Sequence, residues 1–142
     1  MAATFILEIY TPYRLFFSET VEMVILTITD GEIGIEAGRA RFTAPVKCCV
    51  AKIKDKTGVW KPLFIGDGII EVKRHRSVIL VGSAEWPEEI DYQRVLQSKK
   101  DAEEILKTES FHFEIAAAKQ KLKRAGTRLR ALDAAGLSPA SQ

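Results

Sequence analysis

Four residues towards the C-terminal end of the 142-residue sequence have types and spacing that suit binding of an anion. Asp91 and Arg94 stand three apart, and Arg124 and Arg128 four apart, so each pair shares one face wherever its segment is helical. Planar guanidinium forks match phosphate oxygens two at a time. A carboxylate beside them accepts from an amino group or a ribose hydroxyl. Folded together, the two faces would make a nucleotide pocket, but the same residues also suit a plain ion-pair cluster between helices. Spacing leaves both readings open.

The other reactive side chains form no catalytic set. His75 and His112 are remote in sequence from each other and from the only cysteines, the adjacent Cys48 and Cys49. Successive strand residues point to opposite faces, so the cysteines are expected as a small core residue beside a half-exposed one. They suit neither a shared metal nor a mutual disulfide. No Gly-rich phosphate loop opens a helix, and no nucleophile elbow or metal-spaced cluster occurs. Gly66-Asp67-Gly68 reads as a turn. An accessory or binding protein is expected, with no metal and no catalytic residues.

Two kinds of element must position these groups. Up to Ala84 the chain is a series of short alternating apolar runs: Phe5 to Tyr10, Val21 to Thr29, Arg41 to Ala44, Lys47 to Lys54, Val59 to Ile65, Gly68 to Lys73 and Ser77 to Gly82. Turn residues separate them about every 8–12 positions, the pattern of an all-β sandwich. Asp30-Gly31 is a hairpin dipeptide, while Gly34 and Gly38 predict that the following residues bend as a loop instead of continuing as a strand. Beyond Ala84, Ala, Glu, Lys, Leu and Arg dominate. Trp86-Pro87-Glu88-Glu89 predicts a helix start, with the helix running to about Lys107 and a second from Phe113 to Ala134, ended by Gly136 and Pro139.

The second helix carries a regular seam of Ile115, Ala118, Leu122, Ala125, Leu129 and Leu132, and the first a weaker stripe of Val95, Leu96, Ala102, Ile105 and Leu106. Charge divides between them. The first is acid-rich and the second basic through Lys119, Lys121, Lys123, Arg124, Arg128 and Arg130. The predicted fold is an N-terminal β-sandwich over residues 1–84 followed by a C-terminal two-helix antiparallel hairpin over 85–142.

A formal charge of +2 and 46% hydrophobic content argue for a packed core and against a nucleic-acid binder. The apolar runs fall short of the ~20 residues that span a bilayer, and Met1-Ala2-Ala3-Thr4 lacks a signal-type start. A soluble protein is expected, with no direct membrane insertion.

Four motifs in order carry a resemblance. Val21-Glu22-Met23-Val24 precedes Gly31-Glu32-Ile33-Gly34-Ile35-Glu36-Ala37-Gly38, then come Gly66-Asp67-Gly68-Ile69-Ile70-Glu71-Val72 and Ile90-Asp91-x-x-Arg94. Together they resemble the ε subunit of F-type ATP synthases over almost the whole chain. Lys47-Cys48-Cys49 departs from the family's Lys-Pro-Gly turn, and Val95 replaces the Ala that follows Arg94.

The resemblance implies a non-catalytic central-stalk subunit, peripheral on the cytoplasmic side of a bacterial membrane. Its sandwich would bind the γ subunit and the membrane rotor ring of c subunits, with Glu32 at the ring contact. Its helices would reach the α and β subunits of the catalytic head and inhibit hydrolysis through Lys121, Lys123, Arg124, Arg128 and Arg130. ATP is the implied regulatory ligand, at Glu85, Asp91, Arg94, Arg124 and Arg128. The alternative is a free-standing nucleotide-sensing adaptor whose hairpin acts on another protein.

Overall fold

The computed structural model describes residues 3–108 and 111–137, in two compact units, Met1–Glu85 and Trp86–Gln142. Pro139, expected beyond the last helix, lies outside the described residues.

The first unit is built on one long strand. β2 (Leu15–Ile28) pairs along its first half with β1 (Phe5–Tyr10) and along its second half with β3 (Gly31–Glu36) and β5 (Cys49–Asp55). It therefore belongs to both layers of the sandwich. The first layer continues from β1 to β8 (Arg76–Val81), β7 (Gly68–Val72) and β4 (Phe42–Val46), and the second from β5 to β6 (Trp60–Ile65) and the two-residue β9 (Ala84–Glu85). β1 and β8 run parallel and the other pairs antiparallel. Alternation supplies the core: Leu7, Ile9, Val24, Ile35, Ile53, Ile70 and Ile79 are all buried between the layers.

Three strand expectations need correction. β2 begins at Leu15, well before Val21, because its polar Ser18-Glu19-Thr20 stretch is carried by pairing with β1. The stretch after Asp30-Gly31 does not bend as a loop. It forms β3, a hairpin partner of β2, with Gly34 opposite Ile25. Only Gly31 and Gly38 at its two ends take positive φ, 118° and 82°. The cysteines are not split between core and surface. Both are buried as free thiols, because Cys48 lies in a bend whose backbone N–H donates to Asp67 Oδ1 at 2.8 Å and only Cys49 enters β5. Burial pushes the Cys49 thiol pKa up, which leaves it inert.

Gly66-Asp67-Gly68 is a turn, as its composition predicts. At Gly68 the strands come so close that a Cβ would sit 1.9 Å from the Leu80 carbonyl oxygen. Pro45 is tolerated in β4, which pairs with β7 throughout but meets β2 only at Val46↔Ile28.

The second unit opens on a 3₁₀ turn, Pro87–Glu89, in which the Trp86 N–H donates to Glu89 Oε1. The helix expected to start here is interrupted at extended Ile90 and begins afresh as α1 (Tyr92–Thr108). Asp91 is the reason: its carboxylate accepts the Arg94 N–H at 3.2 Å and its carbonyl accepts the Val95 N–H, an N-terminal cap worth about 1 kcal/mol. α2 (His112–Ala134) packs on α1, with Ala118, Ala125, Ala131 and Leu132 buried on α2 and Ala102 and Val95 on α1. Ile105, placed in the α1 stripe, is instead 36% exposed. Gly136 ends α2 with φ 71°, while Leu137 N–H bonds the Leu132 carbonyl and Gly136 N–H that of Asp133, a Schellman closure.

Candidate functional site

The register of the first layer aligns five apolar side chains into one row on its outer face. Pro45 stands opposite Ile69, Ile69 opposite Leu80, Leu80 beside Tyr10 and Tyr10 opposite Leu15. Ile69, Leu80 and Leu15 are 43%, 50% and 48% exposed, and Pro45 is exposed as well. Together they make a contiguous apolar strip across five strands.

The next row on the same face is held by a nearly buried carboxylate. Tyr10 donates to Glu8 Oε2 at 2.8 Å, and Arg76 from β8 pairs with the other oxygen. The phenol lowers the Glu8 carboxyl pKa, Arg76 lowers it further, and burial opposes both.

The third row opens onto a basic end. The connections β3–β4 and β7–β8 carry Arg39, Arg41, Lys73 and Arg74, and Arg76 opens β8 beside them. Gly38 N–H donates to the Arg74 carbonyl at 2.8 Å and stitches the two connections together. The Arg39 guanidinium lies 5.2 Å from the centre of the Phe42 ring and donates to the Gly34 carbonyl. An open depression of about 320 Å³ between the ends of β4 and β7 is lined by Arg41, Phe42, Thr43, Glu71, Val72 and Lys73. Glu32 is exposed in the second position of β3, opposite Thr27 and beside the Asp30-Gly31 turn.

In the second unit Asp91 meets the backbone of Arg94 and not its guanidinium. Arg94 is exposed on the first turn of α1, while Arg124 and Arg128 are half-buried on one face of α2. Glu85 belongs to the sandwich, where it pairs with Phe64 as part of β9. Along the basic face Lys121 is half-buried and Lys123 and Arg130 are exposed. Arg130 folds back onto its own helix, donating to Thr127 Oγ1 at 3.1 Å, and buried Thr127 donates to the Lys123 carbonyl.

Sequence reasoning missed the apolar row and the basic end. The signal for the first was present in Ser77–Val81 and Ile69-Ile70, runs apolar on both faces, although such runs normally mark strands buried on both sides. Arg39 and Arg41 carry no local signal, because only the Gly38–Arg74 backbone bond brings their connection beside Lys73 and Arg74. Among the described residues no group of three or more His, Cys, Asp or Glu could hold a metal ion, and no helix is long and apolar enough to cross a membrane.

Comparison with known proteins agrees with this two-unit architecture. The β-sandwich domain of the ATP synthase Delta/Epsilon chain matches residues 4–87, and the long α-helix domain of the same chain matches 88–133. The ATP synthase epsilon chain of Caldanaerobacter subterraneus subsp. tengcongensis is 43% identical over 130 residues, 92% of this chain and 94% of that one. That of Caldicellulosiruptor saccharolyticus is 41% identical over 131 residues, 92% and 95% of the two chains. A chain of the Euglena gracilis mitochondrial ATP synthase, solved as an OSCP/F1/c-ring assembly, shares the fold with a TM-score of 0.78 at 19% identity, covering 95% of this chain and 82% of that one. Matched over both units and at this identity, the chain belongs to the ATP synthase delta/epsilon chain family.

Proposed function

We propose that this chain is the ε-type subunit of the central stalk of a rotary ATP synthase, seated by the outer face of its sandwich on the γ subunit. As a member of the delta/epsilon chain family it is an accessory subunit and not the catalyst. The observation that carries the docking reading is the row Pro45–Ile69–Leu80–Tyr10–Leu15. Half-exposed aliphatic side chains in register on a rigid sheet suit the core of a protein interface, with the charged residues around them as its polar rim. Glu32, at the exposed hairpin tip, would meet the polar loops of the rotor ring. The chain would then be peripheral, held at the cytoplasmic side of a bacterial membrane by its partners.

The second unit is the regulatory part in this reading. Extended, it would bring Lys121, Lys123, Arg124, Arg128 and Arg130 against acidic segments of the catalytic head and resist rotation in the hydrolysis direction. ATP held by Asp91, Arg94, Arg124 and Arg128 would favour the compact form. A ligand shifts such an equilibrium only by its differential affinity for the two states.

The docking reading is tested by Leu80→Asp, a change at a half-exposed position that leaves the core intact. Its binding to a synthase complex depleted of ε should weaken at least ~100-fold, since hot-spot truncations cost upwards of about 2–3 kcal/mol, with an unchanged circular-dichroism spectrum and melting transition. Parent-like affinity would remove this face as the docking surface.

A further inference from the structure

We infer that the basic end of the sandwich is the rim of that same docking surface, and that the partner surface it meets is acidic. The inference rests on the docking reading above and deepens it. Strands β7 and β8 carry both features: Ile69 and Leu80 lie in the apolar row, Glu71 and Val78 in the next, and Lys73 and Arg76 beyond them. At ~3.3 Å per residue, the apolar row and the basic end lie ~13 Å apart, within one contact patch of standard size.

The charges at this end are only partly neutralised. Lys73 is 3.4 Å from Glu71 and Arg76 is paired with Glu8. Arg41 and Arg74 have no ion-pair partner among the described residues. The Gly38–Arg74 backbone bond fixes the two connections side by side, so both guanidiniums are presented by a braced surface. Thr43 and Arg41 line the depression there, which offers a hydroxyl and a planar fork to an incoming carboxylate.

One feature favours a protein over an anionic membrane. Glu71 stands exposed within the cluster, where a uniformly negative lipid surface would repel it but a patterned protein surface would not.

The test is the association kinetics of the full chain with a synthase complex depleted of ε, measured at low and high salt. Arg41→Glu with Arg74→Glu should slow association at least ~10-fold at low salt and converge with the parent at high salt, with the dissociation rate nearly unchanged. Lys52→Glu, exposed on β5 of the second layer, serves as the control and should change the rate little. A double variant that associates like the parent, or a loss matched by Lys52→Glu, overturns the acidic-partner inference. If Leu80→Asp still abolishes binding in that case, the docking reading stands without it. If Leu80→Asp has no effect, both fall. Flotation of the parent, but not the double variant, with phosphatidylglycerol vesicles, together with unchanged association with the complex, overturns the inference in favour of lipid.

Discussion

Tyr10 donates its phenolic hydrogen to Glu8 Oε2 at 2.8 Å, across two positions of β1. It thereby keeps a carboxylate that is only 6% exposed in its ionised form. The bond couples the apolar row, to which Tyr10 belongs, to the basic end, from which Arg76 reaches the same carboxylate. The effects on the two partners are opposite. The phenol lowers the Glu8 carboxyl, and that same bond, with burial, raises the Tyr10 phenol.

The sign of the pH dependence follows. Glu8 has a folded pKa below its ordinary 4.5, so its contribution to stability is complete above that value and is lost as pH falls through the lower folded one. Tyr10 behaves oppositely: its contribution is present below 10.0 and is lost as pH rises through the raised folded value. Asp55 widens the acid window. The Thr57 hydroxyl and the Val59 N–H hold it down to about 2, and its contribution is lost between 3.8 and that value. Tyr10→Phe should raise the Glu8 titration midpoint and move acid unfolding to higher pH. Carboxyl ¹³C titration by NMR checks this, and an unmoved Glu8 midpoint would assign the whole effect to Arg76.

Gly68→Ala should destabilise the sandwich by more than about 2 kcal/mol, at the upper end of overpacking costs. Its Cβ would meet the Leu80 carbonyl oxygen and the Val81 Cα, both backbone atoms that cannot swing aside. Urea denaturation measures the effect. A loss below ~0.5 kcal/mol would mean that β7 and β8 separate freely, and with them the two strands that carry Ile69 and Leu80.

Calorimetry decides the nucleotide proposal for the second unit. ATP should bind the full chain with micromolar to millimolar affinity, from two or three charge-assisted bonds at roughly 1.5–3 kcal/mol each less the ordering cost. Arg94→Ala and Arg128→Ala should each weaken it at least ~10-fold, and exposed Lys123→Ala far less. No heat of binding at millimolar ATP, or equal losses at Lys123 and Arg128, would remove these residues as a nucleotide site.

Replacing Lys121, Lys123, Arg124, Arg128 and Arg130 together by Ala should raise ATP hydrolysis by the assembled synthase several-fold while leaving synthesis largely intact. The comparison is with a chain truncated after Glu85. If truncation raises hydrolysis and the alanine variant does not, the basic face of α2 is simply solvated.

The sequence by itself determined the elements whose signals are local. Period-two runs marked β1 and β5 to β8, and Asp30-Gly31 marked the hairpin turn through the freedom of Gly31 at positive φ. The three-four seam through Ala118, Ala125 and Leu132 marked the buried side of α2, and Gly136 marked its end. The family resemblance was legible for the same reason, since its motifs are short and ordered along the chain.

Tertiary structure alone decided what faces what. β2 extends through Ser18-Glu19-Thr20 only because β1 supplies a ladder there, and β3 is a strand despite Gly34 because β2 does the same. Asp91 and Arg94 share a helical spacing, but that Asp91 also caps α1 follows from an interrupted start that left the Arg94 N–H in need of an acceptor. Glu8 sat in a pattern that predicts a wet face, yet pairing with β8 brought Arg76 to it. Whether Ile69 and Leu80 lie inside or outside, and whether Arg39 and Arg74 share one surface, depends on strands and connections distant in sequence. Burial and charge proximity are sums over such non-local neighbours, and no window of consecutive residues contains them.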